Sequence, residues 1–352
     1  MLVQLQYLRA IAALMVVYFH SVLQLGNITD ATAIPFPLFG ECGVDLFFVL
    51  SGFVMWLTTA GRPVSPQEFY RRRITRIVPL YWLMTLAAAL VALVVPSLLK
   101  STRFDVPHIL ASLFFIPWQN PSIGDGTEIM PLVVPGWTLN YEMYFYLIFG
   151  GLLLLPERFR AFALAGVLAV VTALCHLFPE VTAARFYSNT IVFEFVAGVF
   201  LADAYLKGWL ASRVLALPLV ALGFAGMVVG DLLDLEDYRA IAFGIPAALA
   251  VYGAVSFDWA RVPGLGWLRA IGDASYSLYL THIFVLAGAR VVFLHLPEAL
   301  RSPIVFLALA LGISIAVALL VYRLFERPVE GLFRKATGRS SPVIRGPRLN
   351  TP

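Results

Sequence analysis

Charge is what this sequence has least of. Asp, Glu, Lys and Arg together make up 13% of the 352 residues, while 60% are hydrophobic. A soluble domain is near half apolar and about a quarter charged, so an ordinary soluble domain is excluded. The balance, held along the whole chain, is that of a polytopic membrane protein. Cysteine is almost missing too: Cys42 and Cys175 stand alone, with no CxxC or metal-type spacing. That excludes a disulfide framework and a zinc site, no metal being expected, and leaves two buried free thiols. The first residues lack a basic start and a small-x-small cleavage site, so the opening helix is expected to be retained. The net charge of +4 implies no nucleic-acid partner and is read by location, because Lys and Arg mark one side of a membrane.

What is present is a series of apolar runs. A membrane-crossing helix needs about 20 residues, and ten candidates fit: 7–25, 42–60, 78–95, 138–155, 161–178, 187–205, 213–230, 239–257, 273–293 and 303–325. The apolar stretch 108–118 is too short and reads as an interfacial or re-entrant piece. With the N-terminus cytoplasmic, the cytoplasmic segments hold seventeen basic residues and the opposite loops five, Arg239 among the five. Counting 108–118 as a span would destroy that asymmetry. The expected fold is therefore all-α, a transmembrane helical bundle of about ten spans with both termini in the cytoplasm. Residues 1–330 form the membrane domain, with no soluble domain expected beside it. Residues 331–352 form a short basic cytoplasmic tail whose Pro and Gly content suggests disorder. The longest loop, about 96–137, suits a structured cap over a site.

Ionisable residues inside such spans are expensive and are functional candidates by default. Arg9 and His20 are eleven positions apart, three turns plus about 20°, so they share a helix face. A rise of about 1.5 Å per residue separates them by roughly 16 Å. In the topology above Arg9 lies near the cytoplasmic end and His20 in the outer half. Asp45 sits one turn inside the second span and needs a partner. Ser51 and Gly52, small residues at mid-helix, read first as helix packing. Arg71, Arg72, Arg73 and Arg76 crowd one stretch. They are either a positive-inside anchor paired with anionic membrane lipid or a phosphate site, since guanidinium groups fork onto phosphate oxygens. If 68–77 is helical, Arg72 and Arg76 share a face with Arg73 adjacent.

Trp137 and its neighbouring tyrosines look like an interfacial belt. Glu142, about a turn into its span from the outer side, does not belong to a belt. It lies at a depth similar to that of His20, where a carboxylate can orient an imidazole. Glu194 and His282 are further intramembrane groups, with Ser275, Tyr276, Ser277 and Tyr279 supplying hydroxyls around the turn of His282. Intramembrane charges on ten helices fit a transporter or exporter of a glycan or small anion equally well. A carrier of that kind should show paired halves with broken helices, and no such internal symmetry is evident.

The segments "LRAIAALMVVYFH", "GVDLFFVLSGFVM", "RRRITRIVPLYW", "PGWTLNYEMYFY", "YSLYLTH" and "FERPVE" resemble, in order, the acyltransferase family 3 membrane proteins. These are bacterial integral-membrane O-acyltransferases of envelope glycans, and the likeness runs from residue 4 to about 330. It is greatest to the exopolysaccharide O-acetyltransferase branch, without the appended domain some members carry. The resemblance implies an Arg-x10-His element at Arg9 and His20, with the His catalytic. It implies handling of acyl-CoA by Arg71, Arg73 and Arg76, to which Arg72 is added by proximity. It also implies a Trp-(Ser/Thr)-Leu-x-x-Glu element at Trp137, Thr138, Leu139 and Glu142, with Thr where Ser is common. His282 closes a further element of less clear role.

The implied donor substrate is acyl-CoA, acetyl-CoA above all, with no permanently bound cofactor. The implied acceptor is a polysaccharide or glycolipid, the location the bacterial inner membrane, and a polysaccharide biosynthesis complex is a possible partner. On this expectation His20 is a general base or acyl-transfer residue. Glu142 or Asp45 orients it, and Thr138, Asn140 and Tyr276 are candidate oxyanion donors.

Overall fold

In lipid a chain must close its own backbone hydrogen bonds, and an α-helix does so within a single segment. Each of the ten apolar runs contains a helix in the computed structural model, which describes residues 2–26, 28, 39–99, 102–259 and 262–336. The helices are α1 (Val3–Gly26), α2 (Gly43–Thr59), α3 (Pro66–Val94), α4 (Val106–Leu113), α5 (Trp137–Leu152), α6 (Glu157–His176) and α7 (Thr182–Tyr187). They continue as α8 (Val192–Leu206), α9 (Arg213–Leu232), α10 (Ile245–Ser256), α11 (Gly266–Asp273), α12 (Ser275–His295), α13 (Pro303–Val321) and α14 (Arg327–Ala336). The described residues contain no strand, only an isolated bridge between Gln119 and Ile129.

Among the described residues, seven helices are long and apolar enough to cross a membrane: α1, α2, α3, α6, α9, α12 and α13. The other three expected spans are shorter helices: α5 has 16 residues, α8 has 15, and a π-helical turn (Ala240–Gly244) runs into the 12 residues of α10. The run at 187–205 is cut short because α7 ends at Tyr187 and Asn189 Oδ1 accepts from the Ile191 amide at 2.9 Å, just before α8 begins. The stretch at 108–118 forms only the eight residues of α4, too few to cross. α14 carries the chain helically past residue 330 to Ala336. Lys100, Arg261 and the rest of the expected tail, 337–352, lie outside the described residues.

α2 is the central helix. A Cβ on Gly52 would lie 2.0 Å from the Phe195 carbonyl oxygen, and one on Gly198 would lie 2.0 Å from that of Val49. The two glycines therefore bring the backbones of α2 and α8 together, as small residues do in membrane bundles. Cys42 is buried as expected, whereas Cys175 is half-exposed.

α3 begins at a fixed register. Ser65 caps it by accepting from the Glu68 amide at 3.2 Å, with Pro66 in the first turn. The arginine stretch is thus continuous with the span that follows it. The 96–137 loop is tied down by several hydrogen bonds. Asp105 caps α4, His108 Nε2 lies 2.9 Å from the Met130 carbonyl, and the Trp82 indole donates to Leu113 O at 2.8 Å. At its exit, Pro135 O accepts the Tyr279 hydroxyl at 2.7 Å.

Candidate active site

An open-sided cavity runs along α2. Its α2 wall is Val44, Phe47, Phe48, Leu50, Ser51, Val54 and Met55, all but Leu50 spaced as one helical stripe. From Val44 to Met55 is eleven positions, roughly 16 Å of helix rise. The other walls repeat the pattern: Arg73, Arg76 and Ile77 on α3, Thr138, Leu139, Glu142 and Tyr146 on α5, Ser275, Tyr276 and Tyr279 on α12, and Arg9 from α1. The helical period thus explains why these residues, scattered over the chain, share one space.

The two ends of the cavity differ. At one end lie Arg9, Arg73 and Arg76, none of which forms an ion pair with a described residue. Arg73 lies 5.7 Å from the Phe69 ring centre and 5.9 Å from that of Tyr146, and its Nε is buried without a hydrogen-bond partner. Towards the other end, Thr138 Oγ1 and the Tyr279 hydroxyl lie 2.8 Å apart, and the Tyr279 ring packs 5.8 Å from Phe47.

His20 and His282 sit behind Tyr279, outside the cavity lining. The His282 ring centre is 6.2 Å from that of Tyr279 and 4.9 Å from that of His20. Each imidazole places Nδ1 against the carbonyl four residues earlier in its own helix, Val16 O at 2.9 Å and Leu278 O at 3.2 Å. With Nδ1–H donating there, the neutral ring carries its lone pair on Nε2. His282 Nε2 is buried and has no hydrogen-bond partner among the described residues.

Several sequence expectations change. Neither carboxylate expected to orient His20 bonds to it. Both oxygens of Asp45 are held by Arg239, Nε to Oδ1 at 3.0 Å and Nη2 to Oδ2 at 2.9 Å, and Arg239 also reaches Glu41 at 2.9 Å. Arg239, counted as a loop charge, is thus an interior ion-pair partner. The second buried acid, Glu194, packs close to Gly244 of the π-helical turn.

Glu142 Oε1 accepts from Ser51 Oγ at 3.0 Å and from the Tyr146 hydroxyl, so Glu142 belongs to the arginine end rather than to His20. Ser51, expected to serve packing, lines the cavity. Gly52 alone keeps the packing role. The arginine cluster divides: Arg73 and Arg76 face the cavity, Arg72 pairs with Glu68, and Arg71 is exposed. Arg9 shares the space of Arg73 and Arg76 rather than that of His20.

Tyr276 donates to Ile77 O at 2.7 Å, and Thr138 and Tyr279 both bond to Pro135 O. Asn140 is buried outside the lining, and Trp137 packs edge-on against Phe48 and Tyr141. Ser277 is fully buried and donates to Glu326, a residue with no individual role in the sequence reading. Tyr146 was likewise missed. Its position four residues after Glu142 was the available signal.

A basic cavity between apolar helices thus has a histidine pair beside its far end. The acyltransferase-domain family matches residues 2–323, and the chain belongs to that family. It is 36% identical over 310 residues to the exopolysaccharide production protein ExoZ of Rhizobium meliloti, covering 87% of this chain and 93% of that protein. It is 28% identical to the acyltransferase MdmB of Streptomyces mycarofaciens, over 88% of this chain and 84% of that one. The peptidoglycan O-acetyltransferase OatA of Listeria monocytogenes is 25% identical over 92% of this chain, which spans only 54% of OatA. No solved structure matches the chain.

Proposed function

We propose that the protein transfers an acyl group, acetyl above all, from acyl-CoA to a hydroxyl of an envelope or exported polysaccharide. The carrying observation is the polarity of the cavity: three arginines free of ion pairs at one end, and two histidines beyond Tyr279 at the other. An anionic nucleotide fits the first end, because guanidinium groups bind phosphate in a bidentate fork. The long pantetheine arm then lies along the α2 stripe and carries the thioester towards Tyr279. ExoZ and OatA, by their names, act in exopolysaccharide production and on peptidoglycan, which supports a glycan acceptor.

In this reading His20 Nε2 takes the proton from the acceptor hydroxyl as its oxygen bonds to the thioester carbonyl carbon. The carbon–sulfur bond then breaks, and the proton passes from His20 to the departing thiolate. The Nδ1 bond to Val16 O supports the role, because it leaves Nε2 as the accepting nitrogen. Asp45 is assigned to the Arg239 ion pair. Arg9 joins Arg73 and Arg76 at the donor end.

The location proposed is the bacterial inner membrane, with ten spans and both termini cytoplasmic. The short helices α5, α8 and α10 are the three additional spans, and the bias of seventeen basic residues against five supports the orientation. The arginine end of the cavity then faces the compartment where acyl-CoA is made.

Purified protein in detergent, given radiolabelled acetyl-CoA and a soluble glycan acceptor, tests the reading. His20→Ala is expected to keep its thermal transition and its CoA affinity while transfer falls about 10²- to 10⁴-fold. Near-normal transfer by a well-folded His20→Ala protein would falsify the base assignment.

A further inference from the structure

Two acids near the arginines, Glu142 and Glu326, are bonded to hydroxyls and not to the arginines. Glu142 is held by Ser51 and Tyr146. Glu326 accepts a 2.5 Å bond from Ser277 Oγ, and both of these side chains are buried. Glu326 owes its position to a π-helical turn, Tyr322–Glu326, between α13 and α14. The wider turn takes an extra residue, which shifts the phase of the helix. Glu326 is thereby turned inward while Leu324 stays exposed.

The turn packs against α3, the helix of Arg76. Arg76 feels the charges of Glu330, Glu326 and Glu142, and Arg9 those of Glu326, Glu142 and Asp273. No described carboxylate comes within 4 Å of either guanidinium.

This arrangement has a physical use. A guanidinium taken out of water needs negative charge nearby, but a direct carboxylate pair fills the same fork of N–H donors that a phosphate uses. A carboxylate held one shell away stabilises the arginine and leaves the fork open.

We propose that Ser277 is a positioning residue: its hydroxyl tethers Glu326 away from Arg76 and Arg9, keeping both available to the phosphates of an anionic acyl donor. The inference rests on the donor reading above and adds a self-blocking contact that the tether prevents. Without the Ser277 hydroxyl, the Glu326 carboxylate closes onto Arg76 and competes with the donor.

The test is equilibrium binding of CoA to the purified full-length protein in detergent, with KM and kcat for acetyl-CoA measured alongside. Ser277→Ala is expected to raise both Kd and KM about tenfold, with kcat changed less than about twofold, the size expected when a charged hydrogen bond competes. Ser277→Ala combined with Glu326→Gln is expected to return Kd to within about threefold of wild type, because a neutral amide competes weakly. Glu326→Gln alone serves if Ser277→Ala does not fold, and it is expected to bind CoA at least as tightly as wild type.

A folded Ser277→Ala protein with wild-type Kd overturns the tether. A double variant as weak as the single one, or a loss of affinity in Glu326→Gln, also overturns it. Wild-type protein that binds no CoA overturns the donor reading itself, and this inference with it.

Discussion

Arg239 and Arg76 carry the same charge into the same bundle and meet opposite surroundings. Arg239 is gripped through all three of its guanidinium nitrogens, by Asp45 at the start of α2 and by Glu41 just before it. Arg76 lies near Glu330, Glu326 and Glu142, the last two bonded to hydroxyls, and it forms an ion pair with none of the described residues. The first arrangement is closed and holds helices together. The second leaves hydrogen-bond donors unmatched, which a folded protein tolerates where a ligand supplies the match. An ionisable residue in a membrane helix is therefore a weak guide to chemistry until its partners are known.

The largest expected effect breaks the closed arrangement. Asp45→Ala leaves Arg239 with one of its two carboxylate partners, and removing one member of a buried ion pair costs about 3–5 kcal/mol. The expected outcome is a sharply lowered thermal transition in detergent, with poor yield of folded protein. A normally stable Asp45→Ala protein would show that the pair is not structural.

Next in size, Arg73→Ala and Arg76→Ala should each weaken CoA binding by about tenfold or more, with the thermal transition nearly unchanged. Arg71→Ala, at an exposed position, should weaken it less than either. Equal losses at all three positions would remove the distinction between the cavity face and the surface of α3.

The smallest effect lies outside both regions. Burial lowers the affinity of the His108 imidazole for a proton below its ordinary range. The neutral ring is thus favoured in the folded loop. Its contribution is full above the ordinary imidazole value, about pH 6.5, and declines as pH falls towards the lowered folded value. Limited proteolysis of the 96–137 loop should accordingly quicken modestly in mild acid. His108→Gln should flatten that dependence.

Much of this was legible from particular residues. Composition and run length placed all ten helices, because a backbone in lipid has one local solution. Gly52 was readable as a packing contact, since a small residue at mid-helix has few other uses. Asp45 and Glu142 were not readable in the same way. Both were expected beside His20 on depth alone, and depth does not specify which neighbour a side chain meets around the helix.

The sequence by itself determined the helices, their apolar character and the family, because these depend on local composition, local hydrogen bonding and ordered motifs. Only the tertiary structure decided the pairing of charges. Arg239 finds Asp45 across 194 positions, Ser51 finds Glu142 across 91, and Ser277 finds Glu326 across 49. Such bonds depend on the rotation and packing of whole helices, which no single segment encodes. Whether an arginine is a brace or a binding group follows from that packing.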